Sequence, residues 1–299
     1  MKPLYKRLFI TAGICFLAGL ICAFIAFTMT GFHLENLNEL GVYAEETYVS
    51  KTDVSKIQKI DLHTNNVRVE VYGTTEKEIS VHYYNREKDF YTIEEQNGEL
   101  SIRKASNRAW YDYVFNFGNW TQQETLQIYI PKTFDGNLLL TTSNQFICLN
   151  DLNTVKNLEC DTSNGMIWID GLQKADTIWC MSSNGGINMQ NIKQVEQIDT
   201  HTSNGYIWLE NVEVSGDVTA DTSNNHISIW KMPAANYTLT TSNGNIEGSI
   251  RAKRSDYTVN GDTSNGKSNV DGGRADQKGE KKLYVETSNG DIDIQFLKD

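Results

Sequence analysis

Apolar and polar residues alternate in short stretches through the second half of this chain. Leu158 and Cys160 precede a polar corner with one polar residue between them, and Ile167 and Ile169 follow the corner in the same way. A period of two is typical of a β-strand that buries one face. Leu172 adds an apolar position eight residues after the corner asparagine, which predicts a further bend before the next unit.

The polar corner is a version of Thr-Ser-Asn-Gly that recurs eight times at intervals of 19 to 24 residues. A nearly constant period of about 20 residues indicates a solenoid, in which each unit stacks on the next. Asn and Gly tolerate the positive φ that a sharp bend needs, and an Asn amide both donates and accepts hydrogen bonds. We therefore predict a structural ladder of stacked asparagines rather than a ligand or metal site. Its members are Asn144, Asn164, Asn184, Asn204, Asn224, Asn243, Asn265 and Asn289.

The repeat unit is too small to fold alone. A single coil buries too few side chains to offset the conformational entropy that is lost when it becomes ordered. Stacking solves this problem, because each strand then pairs in parallel with the coils above and below it at a spacing of about 4.8 Å. We therefore predict an all-β protein, a single-stranded parallel β-helix. Right-handed coils are favoured over left-handed ones, because connections between parallel strands are usually right-handed.

Residues 8–30 form an uncharged apolar segment of 23 residues, long enough to cross a bilayer core of about 30 Å. Lys2, Lys6 and Arg7 precede it and acidic residues follow it, which predicts a cytoplasmic N-terminus and an extracellular C-terminal domain. The alternative is a signal peptide cleaved after the Val-Tyr-Ala of residues 42–44. The apolar segment is long for a signal core and ends well before that site, so an uncleaved, single-pass anchor in the cell membrane is favoured.

These features divide the chain into segments. The corner-like Thr-Asn-Asn of residues 64–66 looks like a degenerate first coil, and the strand-like stretches after it lack the regular period. An open solenoid end invites pairing between chains, so this region is expected to begin the solenoid and to cap it. The predicted segments are a cytoplasmic basic tail (1–7), the anchor (8–30), a stalk (31–56), an irregular β region and N-terminal cap (57–134), and the repeat solenoid (135–299).

Acidic residues dominate the part of the chain that follows the anchor. The whole chain has 27 Lys and Arg against 38 Asp and Glu, and its net charge is −11. Without the three basic residues before the anchor, 24 basic residues face the same 38 acidic ones, a net charge of −14. Such a surface argues against binding to nucleic acid and makes cationic peptides a plausible ligand.

Two cysteines occupy equivalent inward positions. Cys160 and Cys180 lie on successive coils, so their Cα atoms should be about 5 Å apart, close enough for a disulfide. In-register neighbours point in the same direction, however, and buried free thiols pack as small apolar groups. Both states remain open, with free thiols favoured.

Aromatic residues supply the candidate ligand-binding sites. Trp168 and Trp208 each follow a corner asparagine by four residues, where side chains should point outwards, about 10 Å apart with Asn188 between them. Such rings could stack on sugars, or a flanking loop could cover them. A second group lies within eleven residues and either folds over the solenoid or forms a docking surface. Its members are Trp110, Tyr111, Tyr113, Phe115, Phe117 and Trp120.

Catalytic chemistry finds little support in the sequence. Acid–base hydrolysis of a glycan needs two carboxylates about 5–9 Å apart. The matched outward residues Asp161 and Asp221 are three coils apart, about 14 Å. The five histidines show no metal-ligand spacing, and nucleophile and phosphate-loop motifs are absent. We predict no enzyme, no catalytic residue, no metal and no cofactor, and a glycan-cleaving β-helix is a distant third possibility.

The corner followed by alternating isoleucines (residues 164–169), together with the Leu-Gln-Ile-Tyr-Ile-Pro strand at 126–131, resembles the putative-adhesin family of bacterial surface proteins. The resemblance covers roughly residues 57–297, and some members look like the LiaG-type accessory proteins of cell-envelope stress operons. It implies a β-solenoid, a Gram-positive membrane or wall location and no established biochemical activity.

Together these observations favour a non-catalytic, membrane-anchored extracellular β-solenoid that binds or senses a cell-envelope ligand. Its expected partners are the membrane, through residues 8–30, and a cell-wall glycan, a cationic peptide or a membrane protein. The alternative is a structural spacer or an accessory subunit of a membrane complex.

Overall fold

The computed structural model describes residues 3–29, 43–107, 124–270 and 279–297. The chain divides into two compact units. The first contains the N-terminal helix and two short later segments, and the second comprises residues 45–84, 91–105 and 123–299.

The first unit contains helix α1 (Pro3–Met29). Its stretch Arg7–Met29 is long and apolar enough to cross a membrane, and the side chains in this stretch are not buried by the protein. A helix satisfies its own backbone hydrogen bonds and can therefore lie in lipid without a partner. The helix thus has the length and composition of a membrane anchor.

The remaining described chain contains 21 strands and two short 3₁₀ helices, Val54–Lys56 and Arg254–Asp256. The strands are β1 (Ala44–Val49), β2 (Lys59–His63), β3 (Arg68–Thr74), β4 (Ser80–Asn85), β5 (Asp89–Gln96), β6 (Glu99–Ser106), β7 (Thr125–Pro131), β8 (Asn137–Thr142), β9 (Ile147–Asn150), β10 (Thr154–Thr162), β11 (Ile167–Asp170), β12 (Lys174–Ser182), β13 (Ile187–Thr202), β14 (Ile207–Val214), β15 (Asp217–Thr222), β16 (Ile227–Met232), β17 (Asn236–Thr241), β18 (Ile246–Arg251), β19 (Tyr257–Thr263), β20 (Lys281–Thr287) and β21 (Ile292–Leu297).

Each regular coil places one strand before its Asn corner and one after it. The strands before the corner form face A, in which β8, β10, β12, the end of β13, β15 and β17 pair in parallel. The strands after the corner form face B, in which β9, β11, the start of β13, β14, β16 and β18 pair in the same way. This arrangement confirms the predicted parallel β-solenoid.

The alternation of the sequence corresponds to the inside and outside of the solenoid. Leu158 pairs with Leu138 on one side and Ile178 on the other, and all three side chains are buried. Leu172, at the predicted further bend, is also buried. One continuous apolar core therefore runs through the stacked coils.

We predicted positive φ at the Asn-Gly corner, but in the regular coils the structure has it at a different bend. Among the corner asparagines only the degenerate first one, Asn66, has a positive φ, and the glycines of the regular corners have none. Positive φ occurs instead seven residues after the corner, in successive coils with values of 54° to 78°. The residues of this αL column are Asp151, Gly171, Asn191, Asn211 and Lys231.

The corner glycines are required for close packing. A Cβ built on Gly185 would lie 1.7 Å from the carbonyl oxygen of Gly165, and one on Gly205 would lie 1.9 Å from that of Gly185. No side chain fits at such distances, because the backbones of stacked corners nearly touch. The need for glycine therefore comes from the coil next to it and not from its own dihedral angles.

At both ends the stacking order departs from the order of the chain. The final coil lies between two earlier ones, because β20 pairs with β17 on one side and with β19 on the other. The first coil is also enclosed: β2 pairs with β6 and β8, and β3 pairs with β7 and β9. Strand β4 then adds to β7 in the antiparallel direction.

Cys160 and Cys180 are buried free thiols that lie opposite each other on β10 and β12. Burial raises the pKa of Cys160 well above its usual value, so its thiol is neutral.

Candidate functional site

The Asn side chains form a ladder along the exposed corner. From Asn184 onward the distances from Nδ2 to Oδ1 of the neighbour are 2.5–3.0 Å. Because of the inverted stacking order, Asn289 lies between Asn243 and Asn265, and the degenerate corner adds Asn66 as a further member. Each amide donates to the next in the order Asn265, Asn289, Asn243, Asn224, Asn204, Asn184, Asn164, Asn144 and Asn66.

A second, buried ladder was missed by the sequence reasoning. The Ser or Thr two residues before each corner asparagine links two coils: Thr202 Oγ1 accepts from the N–H of Gly205 at 3.1 Å and donates to the carbonyl of Gly185 at 3.1 Å. Ser182 and Thr222 make the equivalent bond to the preceding coil. The invariable hydroxyl at this position in the repeats was the signal that could have revealed it.

Outward-pointing residues of face B form the candidate ligand site. Cys148, Trp168, Asn188, Trp208 and Ser228 occupy the same register position on successive strands. The structure therefore places Asn188 between the two tryptophans, which are half-buried and lie about 10 Å apart.

Tyr206 extends this surface across an adjacent coil. A Cβ on Gly186 would lie 2.7 Å from the Tyr206 ring, so the absent side chain of Gly186 provides the space for that ring. The Tyr206 hydroxyl lies 3.7 Å from Sδ of Met166, and its ring stacks on His226 with 5.5 Å between ring centroids and 4° between planes.

Trp230 completes the group. Its ring centroid lies 6.3 Å from that of Trp208, with 41° between the planes. Trp208 Nε1 donates to a carboxylate oxygen of Glu210 at 3.4 Å, and Glu210 is the register partner of Trp230. We refer to the following set as the aromatic strip: Met166, Trp168, Asn188, Tyr206, Trp208 and Trp230.

Polar groups of the strip lack partners within the described part of the chain. The Asn188 side chain is only 9% exposed, and its Oδ1 is buried without a hydrogen-bond partner there. Nε1 of Trp230 is buried without a partner as well. Buried polar atoms are usually hydrogen-bonded, so two unsatisfied polar atoms lie buried among the aromatic rings of the strip. This combination is typical of small-molecule and carbohydrate sites.

The other candidate residues named from the sequence do not belong to the aromatic strip. Trp110, Tyr111, Tyr113, Phe115, Phe117 and Trp120 lie outside the described residues. On face A, burial raises the pKa of Asp161, but its register neighbours are Thr141 and Met181, and Asp221 lies three coils away. Within the described ranges, no three His, Cys, Asp or Glu side chains are grouped so that they could hold a metal ion.

Comparisons with known proteins give the family. The profile of the family described as Toastrack DUF4097 matches residues 57–295, which include the irregular region as well as the repeats. None of the curated proteins matches the chain.

Several solved structures are similar. A putative adhesin from Bacteroides fragilis NCTC 9343 shares 12% identity at a TM-score of 0.48, covering 85% of this chain and 97% of that one. A putative adhesin from Parabacteroides distasonis ATCC 8503 shares 12% identity at a TM-score of 0.41, with coverages of 86% and 98%. A putative lipid binding protein from the same organism shares 15% identity at a TM-score of 0.40, with coverages of 85% and 96%.

Proposed function

Since the chain belongs to the Toastrack DUF4097 family, we propose that it is a membrane-anchored, non-catalytic β-solenoid that binds a carbohydrate chain of the cell envelope. The aromatic strip of face B is the observation that carries this proposal. Helix α1 supplies the anchor, and the basic residues before its apolar stretch favour a cytoplasmic N-terminus and an extracellular solenoid.

The geometry of the strip suits a linear ligand. Sugar rings have apolar C–H faces that pack on aromatic rings, while their hydroxyls need donors and acceptors around the edge. Trp168 and Trp208 offer two such platforms on a parallel sheet, and Asn188 lies between them with its carbonyl oxygen buried. A glycan lying across the strands could contact both platforms.

The rigidity of the site also supports binding. Four of the six residues of the strip lie on strands that are paired on both sides, so their side chains are held before the ligand arrives. A preorganised site loses less entropy on binding than a flexible loop does. This property compensates for the shallow shape of a sheet surface.

Binding to purified cell-wall glycan tests the proposal. In pull-down and titration experiments with the full-length protein in detergent micelles, we expect Trp168→Ala and Trp208→Ala each to weaken binding about tenfold, which corresponds to about 1.4 kcal/mol. The matched control is Trp179→Ala, because Trp179 is an equally half-buried tryptophan on face A.

Three results would contradict the proposal. These are the absence of glycan binding by the parent protein, unchanged binding by both face B variants, and an equal loss in the face A control. Unfolding curves of all variants must accompany the titrations, since each substitution removes packing area.

A structural spacer or accessory subunit is the second candidate. It is favoured by the regularity of the solenoid, whose two hydrogen-bonded ladders stiffen the corner over many coils. Crosslinking in cells that captures a membrane protein through residues of α1, with no ligand bound to face B, would support this candidate instead.

A further inference from the structure

A polar cavity of about 320 Å³ lies on face B at the end where the first coil is enclosed. Side chains from β1, β3, β4 and β7 surround it, and its volume is in the range of small-ligand sites. The lining residues are Glu45, Arg68, Glu70, His82, Tyr84, Thr125 and Gln127. Every lining side chain carries a polar group, so the cavity fits a small polar molecule and not an apolar one.

Glu70 orients the guanidinium of this cavity. Its Oε1 lies 2.8 Å from Nε of Arg68, and its Oε2 accepts hydrogen bonds from the Tyr72 hydroxyl and from Nε2 of Gln127, both at 2.9 Å. The Glu70 side chain is 13% exposed. Both of its oxygens are therefore occupied within the protein, and its role is to hold Arg68.

The terminal nitrogens of Arg68 are the stronger candidates for contact with a ligand. The only hydrogen bond that the described structure gives them runs from Nη2 to Sγ of Cys148, at 4.0 Å, and sulfur is a weak acceptor. The guanidinium carbon lies 5.8 Å from the centre of the Phe146 ring. A guanidinium held in this way offers a planar pair of donors that matches a carboxylate.

Glu45 supplies the opposite charge. It lines the same cavity from β1 and its side chain is exposed. Because Glu70 is engaged with Arg68, Glu45 is the carboxylate that remains for a positively charged group. An anion alone would be repelled by Glu45, and a cation alone would leave the terminal nitrogens of Arg68 without a carboxylate.

We propose that this cavity binds a small zwitterion, a short peptide with both termini free. Its carboxylate is bound by Arg68 and its ammonium group by Glu45. Thr125 of the lining offers a neutral hydrogen-bonding group to the rest of the molecule.

The cavity and the aromatic strip belong to one continuous surface. Gln127, Glu70, Cys148 and Trp168 occupy the same register position on β7, β3, β9 and β11. A glycan that carries a peptide branch could therefore contact both sites. The zwitterion proposal goes beyond the carbohydrate proposal and does not depend on it.

Three related dipeptides test the proposal with the full-length protein in detergent micelles. The probes are alanyl-alanine, N-acetyl-alanyl-alanine, which lacks the ammonium group, and alanyl-alanine amide, which lacks the carboxylate. In calorimetric titrations we expect each blocked dipeptide to bind about tenfold more weakly than the free one, since each has lost a charge-assisted hydrogen bond.

Variants separate the two contacts. Glu45→Gln should abolish the preference for the free dipeptide over the N-acetyl form and keep the preference over the amide. Arg68→Lys retains the charge beside Glu70 but loses the planar donor pair, so it should reduce the preference over the amide. The control is Glu159→Gln, an exposed carboxylate on face A, which should change neither preference.

The outcome is decisive in both directions. Absence of binding by alanyl-alanine, equal affinities for the three probes, or an unchanged preference in Glu45→Gln would overturn the proposal. Trp168→Ala should leave dipeptide binding intact, which distinguishes failure of this proposal from failure of the carbohydrate site.

Discussion

At the scale of the residue, the most demanding positions are those where two backbones approach each other. Gly185 lies directly against the carbonyl of Gly165, whereas its neighbour Gly186 faces the ring of Tyr206. A backbone carbonyl in a stacked coil cannot move away, but an outward side chain can rotate. Adjacent glycines in one corner therefore provide space for different neighbours, Gly185 for a backbone and Gly186 for a side chain.

We expect Gly185→Ala to lower the free energy of unfolding by about 2–3 kcal/mol, because the added methyl group clashes with the backbone of the next coil. Gly186→Ala should cost less than about 1 kcal/mol, since Tyr206 can move aside. Chemical denaturation of the two variants measures the difference. Equal stabilities would show that the corner can separate without strain.

At the scale of the element, each coil has two kinds of bend. The Asn corner is held by the exposed amide ladder and by the buried hydroxyls, and its glycine provides space for the next coil. The second bend relies on a left-handed residue, and four of the five positions in the αL column hold Asp, Asn or Gly. These residue types adopt positive φ most readily. Lys231 is the exception, with a φ of 54°.

We expect Lys231→Asn to raise the free energy of unfolding by about 0.5–1 kcal/mol, because Asn relieves the strain of the left-handed conformation. Lys174→Asn is the control: this exposed lysine begins β12 and has no positive φ. Thermal unfolding of both variants checks the prediction. A gain of the same size in the control would mean that loss of a positive charge, and not backbone strain, is responsible.

At the scale of the whole second unit, stability depends on the enclosed final coil. Strands β20 and β21 contact the coil of β17 and β18 on one side, and β20 contacts β19 on the other. Deletion of the final coil therefore removes two interfaces, whereas a coil at the physical end of a solenoid has only one. The last described strand pair, β20 and β21, therefore lies within the stack and not at its end.

We expect a variant ending at residue 280 to leave β19 without its partner, so that the amides of residues 257–263 exchange with solvent as fast as in an unfolded segment. A variant ending at residue 252, which also lacks β19, should have the same melting temperature as the variant ending at residue 280. Hydrogen exchange measured by mass spectrometry checks both statements. Protected amides in β19 of the longer variant would contradict the enclosed arrangement.

The recurring corner, with its period of about 20 residues, determined the fold class. The alternation of apolar and polar residues determined the inward side chains such as Leu158 and Ile167, because the period of a strand is a local property of the chain. The uncharged apolar run of residues 8–30 determined the candidate anchor, since a bilayer span requires length and apolarity alone. The alternation of apolar and polar residues also identified Trp168 and Trp208 as outward residues.

Only the tertiary structure decided the order of the coils at the two ends, the place of positive φ and the reason for the corner glycines. Each depends on which backbone lies next to which, and a parallel stack tolerates more than one order of the same repeating strand. The polar cavity also depends on tertiary structure, because Glu45, Arg68 and Gln127 come from strands far apart in the chain. No local pattern connects them, since long-range pairing and not periodicity brings them together.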